Sequence, residues 1–348
     1  MNATRAALAV LATVSIIVST GRARAADQSP DYQVVKTLKV GGEGRWDYAI
    51  VDPQTHLLYV SRSTHTQIIN PETGQVVHDL ANTPGVHGIA LAPEFNRGFT
   101  SNGRGNTVTV FDLKTGDELG TVKTGTNPDS IIYDPASKKV FAFDGRSSDA
   151  SVIDAASAPN TTSTRIPLDG KPEFAAADGA GHVYVNLEDK SSIAVIDSKA
   201  LKVTAVWKID GGEEPSGLAI DPAHHHLFSG CHNNVMVIVD TESGKTLGTA
   251  PIGQGVDACG FDPGTGEAFA SCGDGTLTVV KETSPGKFEA VQTVKTRRGA
   301  RTMALDPSTH TVYLAATEPL PGAAAGEAPR RGGPQGPFVV LVVGRTSK

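Results

Sequence analysis

Val110–Pro128 reads VFDLKTGDELGTVKTGTNP, and Val237–Gly255 reads VIVDTESGKTLGTAPIGQG. In each copy an apolar, β-branched run ends in an aspartate, Asp112 or Asp240. A short polar turn with a glycine follows, and then a second extended run. Two such runs joined by a turn rich in Asp, Thr, Ser and Gly describe an antiparallel β-hairpin. Nothing in either stretch carries the 3.6-residue period of an amphipathic helix.

Weaker copies occupy the rest of the chain. Asp-Pro, or a relative of it, ends one apolar run and opens a turn at Asp52-Pro53, Ala92-Pro93, Asp134-Pro135, Asp178-Gly179, Asp221-Pro222, Asp262-Pro263 and Asp306-Pro307. Successive anchors lie 40, 42, 44, 43, 41 and 44 residues apart. Each unit supplies a strand A before the anchor, such as GLAID, and a strand B after it, such as KVFAF. A strand C such as SSIAVID and a strand D such as ELGTVKTG complete the unit. Four short strands per repeat of roughly 40 residues is the pattern of a β-propeller blade, because radial stacking buries both faces of each small sheet. The fold class expected is therefore all-β, a seven-bladed β-propeller of four-stranded antiparallel blades. The two opening stretches are the C–D hairpins of blades two and five.

The ends of the repeat region supply a check on closure. Unit seven has strands A and B and a late strand C, FVVLVVG at Phe338–Gly344, and no strand D. YQVVKTLKVGG at Tyr32–Gly42, ahead of the first unit, has the pattern of an orphan strand D. The N-terminal strand is expected to close the last blade.

The repeat resembles that of the YVTN-type (YncE-like) bacterial β-propellers, an exported family. The resemblance covers all seven units, with LYVSRS at Leu58–Ser63 and VYVNLE at Val183–Glu188 as the nearest forms of the strand B motif. It implies the propeller fold and export, and it implies no particular activity, since one fold hosts many functions.

The first 25 residues fit that expectation. Arg5 precedes an uncharged apolar stretch from Ala6 to about Thr20, and Ala23-Arg24-Ala25 gives the small-x-small pattern of a signal-peptidase site. The stretch is too short for a membrane-spanning helix. A cleaved signal peptide over 1–25 and one propeller domain over 26–348, delivered to the periplasm as a monomer without a membrane span, is the expected organisation. Removing Arg5, Arg22 and Arg24 with the leader takes the formal charge from −6 to −9. That balance argues against nucleic-acid binding, which rests on basic surfaces. Cys231, Cys259 and Cys272 are an odd set and are expected to be free thiols. EPLPGAAAGEAPRRGGPQG, at 318–336 in blade seven, is a low-complexity loop expected to be flexible on the channel-mouth face.

Propeller geometry selects the candidate site. Strand A is innermost, so its first residue stands at the mouth of the central channel. Five residues before each anchor lie Asp47, His87, Asp129, Glu173, Ser216, Asp257 and Arg301. Carboxylates with an imidazole suit a hard or borderline divalent metal, with Asp129, Glu173, Asp257 and His87 as its ligand set. The competing role for the same positions is structural, since Asp and Ser after a turn bond nearby backbone. The B–C loops on that face add Arg62, Arg104, Arg146 and His232, which could contact an anionic ligand. The triple histidine at His224–His226 falls in an A–B turn on the opposite face. No phosphate loop, nucleophile elbow or haem motif is present.

The leading functional expectation is a non-catalytic binding or scaffolding propeller that takes a small-molecule ligand or protein at the channel mouth, without a cofactor. The alternative is a metal-assisted hydrolase or lyase of lactonase type using the same residues and a divalent metal. A second alternative is single-stranded nucleic-acid binding through the loop arginines.

Overall fold

The computed structural model describes residues 31–319 and 336–346. The expected leader, 1–25, and most of the blade-seven loop, 320–335, lie outside the described residues. Seven four-stranded antiparallel sheets make up the structure. Blade one is built from Ala49–Val51, Leu58–Ser61, Thr66–Ile69 and Val76–Leu80. Blades two to six follow in sequence order, with strands A at Val86–Ala92, Pro128–Asp134, Pro172–Ala177, Pro215–Asp221 and Val256–Asp262. Blade seven takes Met303–Asp306, Thr311–Thr317 and Phe338–Arg345 from the C-terminal part of the chain, and its outer strand is Tyr32–Lys39.

The turns explain why the hairpins look alike. The Asp112 carboxylate accepts the backbone N–H groups of Lys114 and Thr115 at 2.8 and 3.0 Å, and Asp240 accepts that of Ser243 at 2.6 Å. Gly116 and Gly244 then stand at φ +73° and +71°, where a Cβ would be strained. The anchor aspartates act in the same way one turn earlier: Asp134 accepts from Ala136 and Ser137, and Asp306 from Ser308. Blade two has Ala92 there and no carboxylate, and a short 3-10 turn at Pro93–Phe95 replaces the capped turn.

Seven hydrophobic clusters occupy the spaces between blades, one at each interface. Phe99 and Val110 of blade two meet Val140 and Ala142 of blade three, for example. Leu58 and Val60 of blade one meet Ala315 and Val340 of blade seven, so the seventh interface is as apolar as the rest. Each blade is thus stabilised mainly by burial against two neighbours.

Closure occurs as expected. Tyr32–Lys39 pairs antiparallel with Phe338–Arg345, from Tyr32 opposite Arg345 to Lys39 opposite Val339. The side-chain amide of Gln292, in blade six, accepts from the Tyr32 N–H at 3.0 Å and donates to its carbonyl at 2.8 Å. The Tyr32 hydroxyl donates to the Glu267 carboxylate at 3.0 Å, and Arg345 reaches the same carboxylate at 2.6 Å. Glu267 is fully buried, and Lys281 approaches its other oxygen at 3.9 Å. All three cysteines are free thiols; Cys231 and Cys272 are buried and Cys259 is half-buried. No helix among the described residues is long and apolar enough to cross a membrane.

Glu267→Ala leaves Arg345 without its carboxylate and the Tyr32 hydroxyl without its acceptor. Equilibrium denaturation is expected to show a loss of about 3 kcal/mol. Gln292→Ala, which removes only two neutral hydrogen bonds, is expected to cost about 1–2 kcal/mol.

Candidate functional site

The strand-A openers stand at one mouth of the channel, and their main chains are held by a repeated device. Six of the opener carbonyls accept a side-chain hydrogen bond. Thr302 donates to Asp47, Ser101 to Asp129, Ser130 to Glu173, Asn186 to Ser216, Ser216 to Asp257 and Ser271 to Arg301. The mouth is therefore a braced rim on rigid strands rather than a set of mobile loops.

The side chains form three acid–base groupings. The His87 Nδ1 makes a short hydrogen bond with the Asp47 carboxylate and lies 3.5 Å from Asp129. Lys171 bridges Glu173, at 3.4 Å, and Glu188. Arg301 approaches Asp257 at 3.6 Å, and the Thr302 hydroxyl oxygen lies 3.3 Å from the same carboxylate. Among the described residues, Asp47, His87 and Asp129 bring their ligand atoms within 4.8 Å of one another. This redraws the metal set expected from the sequence: Asp47 joins it, while Glu173 and Asp257 stand apart with their own cations.

Burial and mutual repulsion set the charge state. Burial, together with the charges of Asp129 and Glu188, pushes Glu173 up to about 8 against the pull of Lys171. Asp129 rises to about 6 through burial and Asp47, opposed by His87. Asp257 also rises to about 6, through burial and Asp47, opposed by Arg301. Burial disfavours a charged His87, but the hydrogen bond it donates to Asp47 and the surrounding carboxylates outweigh it, so its pKa is raised. The mouth is a crowded acidic cup in which His87, Lys171 and Arg301 act as internal counter-charges.

An aromatic pair forms the floor of this cup. Tyr48 of blade one and Phe174 of blade four stack with centroids 4.5 Å apart and planes at 24°. Blades one and four lie on opposite sides of a seven-membered ring, so the stack reaches across the axis. The Tyr48 hydroxyl is buried and lacks a hydrogen-bond partner among the described residues. Burial, with the charges of Asp129, Glu173, Asp47 and Asp257, keeps it protonated well above the usual phenol range. The sequence carried a signal for this stack. The residues after the seven openers are Tyr48, Gly88, Ser130, Phe174, Gly217, Ala258 and Thr302, five small side chains and two large rings. A Cβ on Gly88 would lie 3.0 Å from the Asp129 carbonyl oxygen, which shows how closely the inner strands approach.

The loop residues divide. Arg104, Arg146 and His232 are exposed, with His232 3.4 Å from Glu214. Arg62 does not face a ligand: it is fully buried, donates to the carbonyls of Gly41, Gly42 and Gly44, and lies 3.8 Å over the Phe338 ring. Its task is to hold the segment linking the closing strand to blade one, and only two exposed arginines remain of the expected row. The triple histidine splits between partners, His224 with Asp221 at 2.6 Å and His225 with Glu242 at 3.8 Å. At the same turn position, His56 and His310 reach the anchor aspartates of the preceding blades, Asp306 at 3.0 Å and Asp262 at 2.7 Å. These two contacts brace blade seven on both sides. A hollow of about 680 Å³ lined by Thr64, His65, Asp79 and Pro84 holds none of the channel-mouth residues.

No family model matches the chain, and no curated protein matches it. Solved structures do. The chain is similar to the structure of U3-55K, at TM-score 0.72 and 8% identity over 88% of this chain and 97% of that one. It is also similar to the crystal structure of the WD40 repeats of RRP9, at TM-score 0.73 and 9% identity over 91% and 99%. At such identity the likeness concerns the fold alone, a seven-bladed β-propeller.

The raised carboxyl groups give a testable pH dependence. A carboxyl that holds its proton more tightly when folded contributes stability at low pH, and this is lost as pH rises from the unfolded value to the folded one. For Glu173 that window runs from its ordinary value of 4.5 to about 8. Glu173→Gln is expected to leave urea stability unchanged at the acid end of the window and to raise it at the alkaline end, by roughly 1–3 kcal/mol.

Proposed function

We propose that this chain is an exported periplasmic propeller of the YVTN (YncE-like) kind, which binds a positively charged group of a small molecule or protein partner at the acidic mouth without transforming it. One observation carries the reading. Asp47, His87 and Asp129 converge beside Glu173 and Asp257, above a buried tyrosine hydroxyl that has no partner. Glu173, raised to about 8, holds a proton at neutral pH that an incoming cation displaces, so the site gains charge complementarity on binding. The WD40-like architecture supports a binding role, since such propellers offer a rigid rim around a central opening. The basic-apolar-small pattern of residues 1–25 supports export.

A metal-assisted hydrolase or lyase is the second reading, favoured by the Asp47–His87–Asp129 grouping, because three protein ligands with open positions are what a catalytic metal site requires. Here the three would hold a divalent cation, which would polarise a carbonyl or activate water. Single-stranded nucleic-acid binding ranks last, with Arg62 sequestered and the mouth acidic.

Calorimetry on the mature chain without a histidine tag separates the readings. Titrated at pH 7 with Mn²⁺, Zn²⁺ and the methyl esters of lysine and arginine, the protein is expected to bind one of these cations and release protons, seen as heats that vary with buffer ionisation enthalpy. His87→Ala is expected to weaken a divalent metal by tenfold or more and to strengthen an organic cation, because it removes a ligand in the first case and a competing imidazolium in the second. Failure of every cation to bind at millimolar concentration overturns the proposal, and metal-dependent turnover of a lactone panel lost in His87→Ala selects the enzyme instead. Amino-terminal sequencing of the protein from the periplasm is expected to begin at Ala26; recovery of the intact leader from the cytoplasm refutes export.

A further inference from the structure

The far side of the aromatic stack is chemically unlike the mouth. A cavity of about 400 Å³ lies along strands A of blades one to four toward the anchor turns, with Ile50, Leu91, Ile131, Tyr133, Ala177 and Gly179 among its lining residues. Asp178 is the one charged residue in its wall. That carboxylate is occupied by the N–H groups of Ala180, Gly181 and His182 at 2.7–2.9 Å and by the His182 ring at 2.8 Å. The Tyr133 hydroxyl is likewise taken up by Glu94. The wall thus offers aliphatic and aromatic surface and no free charge.

The repeat reveals why the space exists. The residue before the anchor is Val51, Leu91, Tyr133, Ile220, Phe261 or Leu305 in six blades, and Ala177 in blade four. The residue after the anchor is proline in the same six and Gly179 in blade four. Strand A of blade four ends in Ala175-Ala176-Ala177, the one blade in which all three residues before the anchor are alanine, although the middle position is also small in blades two, five, six and seven. Blade four departs from its own repeat at the positions that empty this end of the channel. A repeat that shrinks its core residues in one unit loses packing there, and such local departures mark functional sites.

We propose that this cavity is a second binding site, separate from the acidic mouth, for a small uncharged apolar molecule, an aromatic or branched aliphatic compound. The volume lies in the range of small-molecule sites. Spent polar groups in the wall exclude a charged ligand, which would find no counter-charge and would lose its hydration.

N-phenyl-1-naphthylamine, an uncharged dye that fluoresces on leaving water, is the probe. Titration of the mature protein is expected to give saturable enhancement with one site. Ala177→Leu restores the bulk that the other blades carry and is expected to lower dye affinity tenfold or more, with the thermal midpoint unchanged or raised because an apolar void is filled. Val206→Ser, on the exposed outer strand of the same blade, controls for dye adhering to surface side chains and is expected to bind as the parent does. Absence of saturable binding in the parent, equal binding in Ala177→Leu, or an equal loss in Val206→Ser overturns the proposal. If Ala177→Leu fails to fold, Ala177→Val carries the same test with a smaller added volume.

Discussion

The structure depends on one act of pairing, the strand Tyr32–Lys39 laid against Phe338–Arg345. Without it blade seven would have three strands and an unpaired edge, and the clusters on both of its sides would be open to water. With it, every blade has two neighbours and the ring has no end. The polar clasp around Glu267 reinforces this seam from blade six, and Arg62 reinforces it from blade one. The histidine–aspartate contacts of His56 and His310 bracket the same blade from the opposite face. Polar reinforcement gathers where the two ends of the chain meet, which is where the backbone itself supplies no continuity.

Ring closure also makes the mouth. Seven strands held at equal angles bring residues some forty positions apart in the chain to a common rim, and hydroxyl and amide side chains bind the opener carbonyls in place. Four carboxylates are then forced into proximity that no single blade would tolerate. Raised pKa values follow from that crowding, as does the presence of His87, Lys171 and Arg301 as internal cations.

The blade count, strand order and closure were legible in the sequence because each rests on a repeated local signal: the anchor Asp-Pro, the capped turn with its left-handed glycine, and the alternating strand. The openers were legible as a set for the same reason. What escaped was anything set by contact between blades. Arg62 sits in a B–C loop like Arg104 and Arg146, and only the folded path of Gly41–Gly44 converts it into a buried brace. Asp47 was placed on the rim but left out of the expected metal set, because one-dimensional spacing does not say which of seven openers lean together. The Tyr48–Phe174 stack was written in the residues after the openers, yet it becomes meaningful only when blades one and four are known to face each other.

That stack has a consequence for the two ends of the axis. With the two rings stacked across it, the bore has unlike ends, ringed by acids at the mouth and lined mainly by apolar side chains toward the anchor turns. Each end is free to select an occupant by its own chemistry. Tyr48 and Phe174 stand between those ends, one ring supplied by blade one and the other by blade four.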